Sequence, residues 1–252
     1  MSEVETGPIA EQSEAIITCE NIVVGYGSDI VLKNVSLRFP GGKYILLMGP
    51  NGAGKTTLIK AILGLISLRS GSIITPFSVK PPGYVPQQKS IDPLFPVNVR
   101  QIVEMGLYSE LGWWKRKCSK CRQVIDETLE RFNLLEHDRK LFSELSAGMR
   151  QKALIARAFV NGCDVFILDE PTSELDQQTE CEVSEHLHRL VKEQNKTVIV
   201  VHHGLGFTVD HSDLICMVNH GKATMLKPHE SISVRQLADA ARKGVIAGEC
   251  VV

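Results

Sequence analysis

The sequence predicts an α/β protein: a parallel-sheet core with a helical segment inserted into it. Three observations lead there. Residues 44–48, 165–168 and 197–201 are short, continuous apolar runs, as buried strands are. Segments of helical period separate them. A glycine-rich loop leads from the first run directly into a helix.

The elements follow in order. Residues 16–24 and 31–39 are rich in β-branched and apolar side chains, and Gly25, Gly27 and Ser28 punctuate them, so they read as a pair of strands. Pro40-Gly41-Gly42 reads as a turn. Residues 44–48 form a buried strand, and a helix is expected over about residues 55–63. Residues 76–96 are dense in proline and are expected to lack regular structure. Residues 97–136 turn helical, with Val99, Ile102, Val103 and Leu107 on one face and Val124, Ile125, Leu129 and Phe132 on another. Strand character returns at residues 165–168 and 197–201, with a helix near residues 179–193 between them. This alternation around a helical insertion is the pattern of a parallel sheet carrying a subdomain. A further helix is expected at residues 234–242.

The bulk composition narrows the classes. The chain has 252 residues, 43% hydrophobic and 23% charged, which suits a globular core of ordinary composition. A formal net charge of −1 lacks the basic footprint of a nucleic-acid binder, so no nucleic-acid partner is expected. The seven cysteines are irregularly spaced, and Cys163 and Cys216 sit in apolar runs, which suits reduced thiols better than a disulfide framework. Residues 1–14 are polar and acidic and do not read as a secretory leader, and no run of about 18 apolar residues is found in the sequence. A role in a membrane process would therefore be exercised from outside the bilayer.

Gly49-Pro50-Asn51-Gly52-Ala53-Gly54-Lys55-Thr56, with Thr57 following, fits the phosphate-loop pattern. Small residues let backbone N–H groups converge on a polyphosphate, and the N-terminus of the next helix favours negative charge. Lys55 can reach the β- and γ-phosphates, and the Thr56 hydroxyl can ligate Mg²⁺. The run at 165–168 leads into Asp169-Glu170, and ligands of a parallel sheet sit at the carboxyl ends of its strands. Asp169 suits the Mg²⁺ shell, and Glu170 suits the attacking water as base or orienter.

Between these motifs lies Leu145-Ser146-Ala147-Gly148-Met149-Arg150-Gln151, which resembles the signature segment of ATP-binding-cassette ATPases. The resemblance covers about residues 16–225. It implies a P-loop NTPase core with an antiparallel β subdomain and an inserted helical subdomain that bears the signature. Residues 15–230 would form that domain, with the insertion at about 90–160. Residues 1–14 would be a flexible N-terminus and 231–252 a helical tail. By the same resemblance Tyr26 stacks on adenine, and Gln87 is the lid glutamine that touches Mg²⁺ and the water. Ser173-Glu174-Leu175-Asp176 is the loop that crosses to a partner subunit, and His203 is the switch histidine at the γ-phosphate. The family works as a head-to-tail dimer. Each ATP lies between one phosphate loop and the partner's signature, so Ser146 and Gly148 would meet the γ-phosphate across the interface.

Two departures from the family pattern stand out. Ala147 and Met149 replace the usual glycine and glutamine of the signature, while Ser146 and Gly148 remain. His202-His203-Gly204 replaces the usual single histidine followed by aspartate, and strand alternation turns His202 to the other face, where it is expected to pack.

Residues 95–116 resemble the helical subdomain of importers for zinc, manganese or iron ions. In that family the region docks on membrane subunits. Trp113 and Trp114 would serve that interface or close the subdomain's own core. Cys118 and Cys121 read as i, i+3 neighbours on a helix rather than half of a zinc site, which needs four ligands. The resemblance thus implies an ATP-hydrolysing subunit using ATP and Mg²⁺ on the cytoplasmic face of a membrane. Its partners would be integral permease subunits and, indirectly, an extracytoplasmic solute-binding protein. The alternative is a soluble ATPase of the same architecture acting in translation, repair or cluster assembly. The single motif set and the short insertion argue against it.

Overall fold

The computed structural model describes residues 14–87, 96–107, 119–171, 175, 177–202 and 212–228. Two sheets are stacked. The smaller is antiparallel, in the order β2-β1-β4, from β1 (Ala15–Tyr26), β2 (Asp29–Pro40) and β4 (Ser70–Ile74). The larger is six-stranded, in the order β5-β6-β7-β3-β8-β9, from β3 (Tyr44–Met48), β5 (Gly83–Val85), β6 (Val165–Asp169), β7 (Thr197–Val201), β8 (Leu214–Asn219) and β9 (Lys222–Leu226). All its pairings are parallel except β8 with β9. Five helices complete the described chain: α1 (Lys55–Ile62), α2 (Val99–Glu104), α3 (Ser119–Arg131), α4 (Ala147–Phe159) and α5 (Gln177–Gln194).

The continuous apolar runs have a direct explanation. Every residue of β3, β6 and β7 is buried, because the large sheet is covered on both faces. Side chains alternate between two cores. Tyr44, Leu46, Phe166, Leu168, Val198 and Val200 face the helical side. Ile45, Leu47, Val165, Ile167, Ile199 and Val201 face the small sheet and α1. Apolar burial at roughly 1.5–3 kcal/mol for each such side chain is what holds the layers together.

The helical insertion lies between β5 and β6 and is pinned by charge as well as packing. Arg100 donates from Nε to Asp138 at 2.9 Å and from Nη2 to Asp126 at 2.6 Å, tying α2 to α3 and to the turn beyond it. The short α2 is secured by a capping box. Asn98 accepts from the Gln101 backbone at 2.8 Å, and Gln101 Oε1 accepts from the Asn98 backbone at 2.9 Å.

One expectation is corrected. The proline-dense stretch is not wholly irregular, since β5 runs through it as the edge strand beside β6. Residues 97–136 are helical as expected, in separate pieces. Among the described residues they give α2, a 3₁₀ turn at Met105–Leu107, and α3. Residues 1–13 of the expected N-terminal segment, the expected C-terminal segment, Trp113, Trp114 and Cys118 lie outside the described residues. No described helix is long and apolar enough to cross a membrane.

Candidate functional site

The phosphate loop joins β3 to α1 at the carboxyl edge of the large sheet, where β3 sits between β7 and β8. Its glycines have individual reasons. Gly54 caps α1 with φ 105°, a left-handed conformation that glycine adopts without penalty. Gly49 has φ 148°, and a β-carbon there would lie 2.0 Å from the Val218 carbonyl oxygen. Only glycine lets β8 approach this closely. The loop closes through the Ala53 N–H, which donates to the Pro50 carbonyl at 3.2 Å.

Lys55 is buried although it is charged. Its Nζ donates to the carbonyls of Gly49 at 2.8 Å and Pro50 at 2.9 Å, so the ammonium folds back onto its own loop. Burial pulls its pKa below the ordinary lysine value, while the carboxylates of Glu170 and Asp169 act in the opposite direction. A charged phosphate oxygen is a stronger acceptor than either carbonyl.

Asp169 is the last residue of β6 and is fully buried. Glu170 follows with φ 54°, an uncommon conformation for a residue with a side chain. From the end of β5, Gln87 donates through Nε2 to Glu170 Oε2 at 2.9 Å. Asn51, Gly52, Gly54, Lys55, Thr56, Thr57, Gln87 and Glu170 line one open cleft of about 540 Å³, together with Val31 from β2. This is the size range of small-molecule and cofactor sites. Thr56 is half-buried in its wall and Thr57 is buried.

Other expected site residues lie outside this cleft. Tyr26 is exposed at the β1–β2 turn. Ser146 caps α4, its Oγ accepting from the Met149 backbone at 3.2 Å, and Gly148 lies in the first turn. Met149 packs against the helical core, which accounts for an apolar residue in place of glutamine. His202 is packed as expected, and it has a partner: its Nε2 lies 3.3 Å from Glu180 Oε1. Ser173, Glu174, Asp176 and His203 lie outside the described residues.

The structure adds residues that local patterns did not mark. Val31 lines the cleft, yet in the sequence it is one apolar residue of a strand. Arg69 holds the Tyr26 turn, donating to the carbonyls of Gly27, Ser28 and Asp29.

Comparison with known proteins agrees with this geometry. The model of the ABC transporter family matches residues 32–173, from β2 through the acid pair and beyond. The manganese transport system ATP-binding protein MntB of Bacillus subtilis is 37% identical over 221 residues, covering 86% of this chain and 88% of that protein. The zinc transport system ATP-binding protein TroB of Treponema pallidum is 37% identical over 212 residues, covering 81% and 78%. An inward-facing metal-chelate type ABC transporter superposes with a TM-score of 0.80 at 28% identity, covering 90% of this chain and 88% of that one. On this evidence the chain belongs to the ABC transporter family, among its ATP-binding subunits.

Proposed function

We infer that this chain is the ATPase that powers metal-ion uptake, driving separate membrane subunits from the cytoplasmic face of the membrane. The observation that carries the reading is the convergence of Lys55, Thr56, Gln87 and Glu170 on one cleft. The nearest chemistry is phosphoryl transfer to water. Support for the cargo comes from relatives named for manganese and zinc transport. The ion would be manganese, zinc or iron, delivered by an extracytoplasmic solute-binding protein.

Each residue then has a role. The loop of residues 49–57 and the α1 N-terminus cradle the phosphates, and Lys55 leaves its carbonyl partners for the β- and γ-phosphates. Tyr26 stacks on adenine. Glu170 orients the attacking water and takes its proton as the oxygen bonds to the γ-phosphorus, while the β–γ bridge breaks to release ADP and phosphate. Gln87 and His203 border that water and the γ-phosphate. Thr56, Gln87 and Asp169 are hard oxygen donors of the kind Mg²⁺ takes. Bound there, Mg²⁺ would neutralise phosphate charge. In a head-to-tail dimer, Ser146 and Gly148 meet the partner's γ-phosphate. Ser146 suits this role, because a hydroxyl that accepts from its own helix keeps a proton to donate.

Two experiments test the proposal. Phosphate release from ATP is expected from the purified chain, and its absence in the presence of Mg²⁺ removes the ATPase role. Gentle purification of the tagged protein from native membranes should recover a multi-spanning membrane protein in near-equal amount. Recovery with ribosomal or assembly proteins instead would leave the ATPase and overturn the transport role.

A further inference from the structure

The start of α5 grips two pieces of machinery that serve different nucleotides in the head-to-tail dimer proposed above. On one flank, Glu182 Oε2 meets Lys152 Nζ at 2.7 Å. Lys152 belongs to α4, the helix capped by Ser146. The same flank faces Gly148 and leaves room for a methyl group there. A β-carbon built on Gly148 would lie 3.6 Å from Thr179 Cγ2 and 3.8 Å from Leu175 Cδ2, which is ordinary van der Waals contact. On the other flank, Glu180 Oε1 lies 3.3 Å from His202 Nε2. The His202 backbone N–H still donates to the Leu47 carbonyl at 3.2 Å, so this residue is tied to β3 immediately before position 203.

Helical geometry makes this possible. Residues two apart on a helix point about 200° apart, so Glu180 and Glu182 reach opposite sides of one turn. Neither of these two contacts lines the nucleotide cleft. The hydrogen bond from Lys152 holds the Glu182 carboxyl below its ordinary pKa, as expected of a formed pair. Within one chain, α4 presents Ser146 and Gly148 to the partner's nucleotide, whereas position 203 serves the chain's own.

We propose that the Glu182–Lys152 and Glu180–His202 pairs make the first turns of α5 a strap that couples the two nucleotide sites of the dimer. Through it, occupancy of one site alters turnover at the other. All four are positioning residues. The inference rests on the dimeric ATPase reading above. A merely local surface pair would contribute little of its own, and would leave the communication between sites untouched.

The test is steady-state hydrolysis by the full chain against ATP concentration, read as a Hill coefficient. Two coupled sites allow a coefficient up to about 2. The wild type is expected to approach that limit, and K152E and E182K to fall to about 1, the uncoupled value. The double swap K152E/E182K, which restores the pair in reverse, should recover most of the cooperativity. E180Q keeps the shape of the side chain and removes its charge, so it tests the other flank even if a charge reversal fails to fold. It too should lower the coefficient. A wild-type coefficient of about 1, or identical coefficients in folded variants and wild type, would overturn the strap while leaving the ATPase standing. A wild type that hydrolyses nothing would overturn the ATPase reading itself.

Discussion

Gln87 and Glu170 are joined by a hydrogen bond of 2.9 Å that links the end of β5 to the residue after β6. Gln87 therefore holds the carboxylate that we propose orients the attacking water. Replacing Glu170 with Gln keeps the shape and removes the base. We expect E170Q to hydrolyse ATP roughly 10²–10⁴-fold more slowly, the usual range for a positioned acid–base group. It should still bind ATP and accumulate as an ATP-bound dimer in size-exclusion chromatography. Normal turnover in E170Q would take Glu170 out of the mechanism.

The backbone of Glu170 supplies a second expectation. Its φ of 54° suits glycine better than any residue with a β-carbon. Left-handed geometry costs such a residue roughly 1–2 kcal/mol, and glycine's greater freedom in the unfolded chain offsets about 0.5–1 kcal/mol of the relief. E170G should therefore unfold at a higher temperature than E170A, by a few °C at most at about 2–4 °C per kcal/mol. Equal midpoints in calorimetry would show that this backbone carries no strain.

Lys55 predicts a pH dependence of binding. Burial lowers its pKa in the nucleotide-free protein, and bound phosphates would raise it. Between the two values, ATP binding takes up a proton. Affinity should hold at neutral pH and fall as pH rises through the lowered value, by at most about tenfold per pH unit. Nucleotide titrations across alkaline pH would measure it. K55R, whose guanidinium does not titrate in this range, should bind with no such dependence.

Gly49 gives a sharper structural test. With a β-carbon placed 2.0 Å from the Val218 oxygen, G49A must push the loop away from β8. Loss of nucleotide binding with a reduced melting temperature is expected. A G49A variant that binds ATP normally would mean that the loop and β8 are not locked together.

What the sequence made legible was local or periodic. The phosphate loop is one contiguous motif, and β3, β6 and β7 announce themselves because both faces are dry. β4 and β9 did not, because Ser70–Ile74 and Lys222–Leu226 are mostly exposed or half-buried and lack an apolar run. β5 hid among prolines because Gly83–Val85 is a short edge strand. In the site, the residue types were readable but their pairings were not. Gln87 with Glu170, Arg69 with the Tyr26 turn, and Lys152 with Glu182 are contacts between distant parts of the chain. Only the folded topology brings them together.

The two-sided burial of the large sheet has a mechanical consequence. Amides of β3, β6 and β7 should be among the last to exchange with deuterium, since opening any of them exposes both cores at once. The phosphate loop and Glu170 begin where β3 and β6 stop, so the nucleotide cleft is mounted on the rim of the part of the protein that is hardest to open.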